Sequence, residues 1–237
     1  MDINLVDENY YCGKPAIDPR LQDKSCEFSA LAMALYCFPD EALSTLVKHE
    51  HPDFISLDCR FGLEVTEADN ELHKQASKEF YKSLHPKEGC DLEKSRKIIN
   101  RTGAKVIEYP ERSLSTLDFS MFGDKMLVTD LKERVLKKES KEYDETKELY
   151  LAIVFFEILG TNSMNLINET LNDIVDSKTT KFKRIYVVTN QFCMMFQTEN
   201  KSVITRNITR SEYHKIRTLG RMTAEGIVDL KSNVWTE

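Results

Sequence analysis

Apolar positions recur along this chain with two spacings. In SCEFSALAMALYCF, residues 25–38, they follow the period of a helix, with Ser25 or Asp23 as its cap and Pro39 as its end. PDEALSTLVKHE then predicts a second, short helix over 39–50. Next come two short apolar runs, 53–57 and 61–67. In the second, Phe61, Leu63 and Val65 alternate with Gly62, Glu64 and Thr66, the period-two pattern of a strand. Helices follow over 70–84 and over DLEKSRKIINRTG, which stops at Gly103; KVIEYP predicts a strand, and 113–123 fits neither pattern. A helix over 126–143 precedes ELYLAIVFFEIL, the most apolar run, which predicts a buried central strand. A helix over 163–176, the strands RIYVVTN and FCMMFQT and a helix over 211–219 complete the pattern. Helices interleaved with short strands predict an α/β fold.

Composition narrows the class. A chain of 237 residues with 41% hydrophobic content can bury a core. No stretch approaches the roughly 18 to 20 apolar residues of a membrane span, and MDINLVDENYY lacks the basic flank and apolar run of a signal peptide. The expectation is a cytoplasmic protein with no membrane partner. Six scattered cysteines, without a CxxC pair or zinc-like Cys/His spacing, read as reduced thiols. Net charge is −6, but Lys178 to Arg221 alone carries +8 and the remainder −14. A basic C-terminal lobe beside an acidic body suits a polyanion partner, and solvated charged faces would look the same.

Two acids stand where strands should be apolar. If residues 58–60 turn a hairpin between 53–57 and 61–67, Asp53 stands opposite Glu64, with Cβ atoms about 4.5–5.5 Å apart. Carboxylates that close repel unless a hard cation such as Mg²⁺ or Mn²⁺ neutralises them. A one-residue slip would send one acid to the other face. Glu27 lies one turn before Leu31, on the inward side of the first helix, where it either joins the acids or serves the helix dipole. On helix 126–143, Lys138 continues the stripe of Val128, Leu131 and Val135, whereas Lys137 points away. On helix 70–84, Lys74 and Lys78 lie across from the apolar stripe. Helical phase therefore selects Lys138 as the lysine that enters an acidic site or snorkels at the core edge.

These residues resemble a family. Pro52-Asp53, followed after a turn by Leu63-Glu64-Val65-Thr66, resembles the metal-binding core of the PD-(D/E)XK nuclease superfamily, in which a helix acid precedes a hairpin carrying Asp and then Glu-x-Lys. Carried over, Glu27 resembles the helix acid, Asp53 the PD acid, and Glu64 with Val65 the second acid and the metal-binding carbonyl. Thr66 departs from the pattern at the position of the usual lysine, which implies either lost catalysis or a lysine from elsewhere. The cap-snatching endonucleases of segmented RNA viruses resemble the second case, with a lysine on the helix after the acidic strand; Lys138 is its counterpart. Glu139-x-x-x-Tyr143 loosely resembles a Gln-x-x-x-Tyr helix motif of another branch.

The resemblance covers about 25–66 and 126–157. It implies a restriction-endonuclease-like α/β core, a mixed sheet flanked by helices, over 25–160 with an insertion at 68–123, after an irregular arm over 1–24 and before a basic extension over 161–237. It also implies a nuclease that binds Mg²⁺ or Mn²⁺ through Glu27, Asp53, Glu64 and the Val65 carbonyl and cleaves with Lys138. The partner would be DNA or RNA held by segment 178–221, with Tyr213 and His214 among its charges, in a role such as defence against phage or mobile DNA. The rivals are a binding or assembly module that keeps the fold without the chemistry, favoured by Thr66, and an unrelated α/β interaction protein with a polar hairpin.

Overall fold

A computed structural model describes residues 2–68, 71–84, 91–101, 105–109, 114–118, 123–144, 146–155, 162–177 and 180–230. The first long helix, α1 (Gln22–Cys37), starts before the expected cap because a 3-10 turn over Pro19–Leu21 feeds into it. Asp18 caps that turn by accepting the Arg20 N–H, so Asp23 and Ser25 lie inside the helix. The second helix, α2 (Glu41–Ser44), is shorter than predicted and is capped by Asp40. The chain then extends into β1 (Leu46–Lys48), a strand inside the stretch that composition marks as helical.

The hairpin follows as β2 (Phe54–Ser56) and β3 (Phe61–Glu67). After it come α3 (Glu71–Leu84), α4 (Leu92–Arg101), β4 (Lys105–Tyr109), β5 (Leu114–Asp118) and α5 (Gly123–Glu139). Then come β6 (Glu148–Val154), α6 (Ser163–Ser177), β7 (Phe182–Val188), β8 (Phe192–Gln197), β9 (Ser202–Asn207) and α7 (Arg210–Ala224). The ambiguous segment 113–123 thus contributes β5. The stop at Gly103, and the FEIL end of the apolar run, lie outside the described residues.

Seven strands form one mixed sheet in the order β1-β2-β3-β6-β7-β8-β9. β3, β6 and β7 are parallel, and the strands on either side run antiparallel. The parallel neighbours are reached through crossovers containing α5 and α6, as parallel pairing requires. β6 is buried on both faces from Leu149 to Val154, which is why ELYLAIV reads as a continuous apolar run. Leu63, Val65, Tyr150, Ala152 and Tyr186 share a core with α1 and α7. Those two helices approach closely at Gly220, where a Cβ would stand 2.1 Å from Ser29 Oγ. The sheet with α1 and α7 thereby fixes the helix that carries Glu27.

The chain forms two compact units, Met1–Ala68 with Lys132–Glu237, and Asp69–Leu131. The second has a small core of Ala76 and Ile99 with Phe80 and Val106, and its buried Glu79 is held by Lys82 and by Ser95 Oγ. Its limits lie near the insertion expected at 68–123. The basic extension expected over 161–237 does not stand apart, because β7, β8 and β9 continue the sheet and α7 packs on α1. Among the described residues no helix is long and apolar enough to cross a membrane.

Candidate functional site

The hairpin has the register in which Asp53 stands opposite Glu64: Phe54 pairs with Leu63 and Ile55 with Gly62. Its turn is held by Asp58, which accepts Ser56 Oγ at 2.7 Å and the Arg60 N–H, and Cys59 takes a positive φ of 55°. Gly62 leaves room for the Pro52 ring, since a Cβ there would lie 2.8 Å from Pro52 Cγ. Beyond Leu63 the ladder ends and a side chain replaces it. Asp53 Oδ2 accepts the Val65 N–H at 2.7 Å. In a strand the N–H and C=O of one residue point to the same edge, so the Val65 carbonyl is directed to the side that Asp53 occupies.

Glu27 comes to the site through a lysine that the sequence reading passed over. Lys48 Nζ, on the edge strand β1, is 2.9 Å from Glu27 Oε2 and 3.9 Å from Asp53 Oδ1, and it donates to the carbonyls of His49 and Asp53 at 2.8 and 3.1 Å. The signal was the register of a three-residue edge strand, too short to show a period. The sequence pattern places Lys48 in helix 39–50, whereas the structure puts it at the end of β1.

Glu64 is almost sealed, its side chain 1% exposed. Lys138 donates to Glu64 Oε1, and Lys141 Nζ lies 3.4 Å from the same oxygen. Helical phase thus chose correctly between the lysines of α5: Leu131 and Val135 are buried, Lys138 is turned in and Lys137 is exposed. Lys78 is exposed on α3, and the Lys74 side chain lies outside the described residues. The helix ends at Glu139 rather than 143, so the Glu-x-x-x-Tyr spacing does not put two side chains on one helical face. Glu139 turns to β7, accepting Thr180 Oγ1 and the Lys181 N–H. Tyr143 returns by a loop, and its hydroxyl donates to the Lys138 carbonyl at 3.0 Å. That loop is tied to the hairpin entry by His49 Nε2 with Asp144 Oδ2 at 2.7 Å, and by the Asp144 N–H on the His51 carbonyl.

The electrostatics are those of acids gathered in a dry place. Burial first, then the Glu64 charge, pushes the Asp53 carboxyl up to about 7, against the lowering pull of the Val65 N–H. Burial holds Lys138 below the usual lysine range although Glu64 opposes it. Burial and the charges of Glu64 and Asp53 raise the Tyr143 phenol. Among the described residues Glu64 Oε2 has no hydrogen-bond partner, a costly arrangement for a buried carboxylate.

Among the described residues no group of three or more His, Cys, Asp or Glu is gathered so as to hold a metal ion. Two carboxylates are instead engaged by lysines, Glu27 by Lys48 and Glu64 by Lys138. The residues still fit a hard divalent cation in kind: carboxylates and a strand carbonyl offer oxygen donors, and Glu64 Oε2 is a buried acceptor without a hydrogen-bond partner among the described residues.

The basic segment is dispersed rather than a lobe. Arg184 pairs with Asp40, Lys201 with Asp176 and Arg221 with Glu225, while Arg206 covers the Tyr36 ring; Lys178 lies outside the described residues. Tyr213 and His214 stay together on α7, with Arg217 donating to the Tyr213 hydroxyl at 3.3 Å and Arg210 to His214 Nε2 at 3.3 Å. Burial and the Glu67 carboxylate raise the Cys26 thiol, and Arg217 opposes them; α7, which carries Arg217, packs on α1. Comparison of the chain with protein-family models, curated proteins and solved structures found no match.

Proposed function

We propose that this chain is a divalent-metal-dependent nuclease related to the PD-(D/E)XK superfamily. The observation that carries the reading is Glu64: it is buried opposite Asp53, one oxygen is held by a helix lysine, and the other has no hydrogen-bond partner among the described residues. The order α1, hairpin, α5, β6, with β6 beside β3, agrees with the resemblance seen in the sequence. Asp53, Glu64 and the Val65 carbonyl would hold Mg²⁺ or Mn²⁺, with Glu27 joining once Lys48 releases it. When bound, that ion supplies charge for the scissile phosphate and a more acidic water.

The chain's own residues do the rest. Val65 orients Asp53 through its N–H. Lys138, beside Glu64, supplies the positive charge that Thr66 lacks and offsets charge developing on the phosphate in the transition state. Tyr143 fixes the last turn of α5 by donating to the Lys138 carbonyl, so the ammonium is positioned from two sides. Arg210, His214 and Arg217 on α7, the helix that packs on α1, form a basic face suited to a phosphate backbone.

A second reading, a binding or assembly module with this architecture and no chemistry, is favoured by Thr66 and by the lysine-engaged acids. Incubation with plasmid DNA and with single-stranded RNA, in Mn²⁺ or in EDTA, separates the two. Cleavage in Mn²⁺ that disappears in EDTA and in Asp53→Ala supports the nuclease; retention of nucleic acid without cleavage supports the module.

A further inference from the structure

We infer that Lys48 is a tethered stand-in for a divalent cation, and that it competes with the metal for Glu27 and Asp53. The inference rests on the metal-site reading above and adds a residue to it. Four oxygens surround the Lys48 ammonium: Glu27 Oε2 at 2.9 Å, the His49 carbonyl at 2.8 Å, the Asp53 carbonyl at 3.1 Å and, farther off, Asp53 Oδ1 at 3.9 Å. Carboxylate and carbonyl oxygens are the donor set that a hard cation takes, and here a side-chain cation fills it. Lys48 neutralises the Glu27 charge that would otherwise face Asp53.

Its position suits exchange. Lys48 ends the edge strand β1, and its side chain is 30% exposed, against 11% for Lys138. Lys48 can therefore swing to solvent on its flexible stem, whereas Lys138 is enclosed. The two lysines then divide the labour: Lys138 stays with Glu64 as a fixed cation, and Lys48 leaves when a metal arrives. Glu27 joins Asp53 only in the metal-loaded state, which explains why the lysine-engaged acids are not gathered as a ligand group.

Lys48→Met tests this, since methionine keeps an unbranched apolar stem and removes the ammonium, which lies 5.3 Å from the Phe54 ring centroid. Calorimetric titration of the full chain with Mn²⁺ should show Kd falling by roughly tenfold or more, the scale of one lost charge competitor near the surface. In EDTA the variant should melt below wild type, and Mn²⁺ should restore the difference. Lys48→Arg, which keeps the charge, should bind Mn²⁺ as weakly as wild type, so a shared loss of packing cannot imitate the effect. Unchanged or weaker Mn²⁺ binding by Lys48→Met overturns the inference, as does equal tightening in Lys48→Arg. The cleavage assay judges the nuclease reading separately: a wild type that cleaves while Lys48→Met gains no affinity removes only the Lys48 role, and a gain in affinity without cleavage removes only the activity.

Discussion

Asp53 Oδ2 accepts the backbone N–H of Val65 at 2.7 Å, so the acid that leads into β2 is fastened to the residue that follows Glu64 on β3. One hydrogen bond thus continues the hairpin ladder and holds two carboxylates on neighbouring strands. Burial and the neighbouring Glu64 charge make ionisation of Asp53 costly in the fold.

The first prediction concerns pH. The Asp53 carboxyl is raised to about 7 in the folded chain and titrates at its ordinary lower value when unfolded. A raised folded value favours the protonated form, so its contribution to stability is fully present below about pH 4 and is lost as pH rises through about 7. In metal-free buffer Asp53→Asn should be more stable than wild type at pH 8, by on the order of 1–3 kcal/mol, with the advantage gone near pH 4. Denaturant unfolding of both proteins across that range reads it directly. Equal pH profiles would mean that Asp53 is ionised without penalty.

Lys138 and Lys137 are adjacent in sequence and opposite in role. Lys138→Ala leaves the buried Glu64 with the more distant Lys141 at 3.4 Å, which should cost about 3 kcal/mol of stability. It should also slow cleavage by about two orders of magnitude, the scale of a lost transition-state charge partner. Lys137→Ala, on the exposed side, should change stability by less than about 0.5 kcal/mol and leave the rate alone. Similar behaviour of the two variants in unfolding and initial-rate measurements would contradict the placement of Lys138.

The α1–α7 contact gives a structural prediction away from the acids. Gly220→Ala would bring a Cβ within 2.7 Å of the Ser29 backbone nitrogen, which a flexible side chain cannot relieve. Melting should reveal a loss of about 2 kcal/mol, the usual scale of overpacking. Because α1 carries Glu27, affinity for Mn²⁺ should fall as the helix shifts. A neutral Gly220→Ala would show that the helices have room to part.

What the sequence made legible follows from period and phase. The alternation of Phe61, Leu63 and Val65, with a turn at 58–60, carries the register of Phe54 with Leu63 that brings Asp53 opposite Glu64, although β3 is buried on both faces from Gly62 to Thr66. The stripe of Leu131 and Val135 was enough to choose Lys138 over Lys137. Three-residue β1 was hidden because so short a strand has no period, and Lys48 was lost with it. β9 went unseen for another reason: an edge strand, mostly exposed, needs no apolar alternation, and its charges were read as part of a basic lobe. Glu139 was misjudged because spacing on a helix cannot foresee that Thr180 and Lys181 wait at the start of β7.

A divalent cation held through Asp53 and Glu64 should stabilise the folded chain, and thermal melting in Mn²⁺ measures that stabilisation. A ligand that binds only the folded chain stabilises it by about 2.7 kcal/mol at a hundredfold excess over Kd, so the wild-type melting temperature should climb steadily with Mn²⁺ and fall back when EDTA is added. Asp53→Asn, which keeps an acceptor for the Val65 N–H but not the charge, should show no such climb. Equal stabilisation of wild type and Asp53→Asn by Mn²⁺, or none in either, would contradict the metal site.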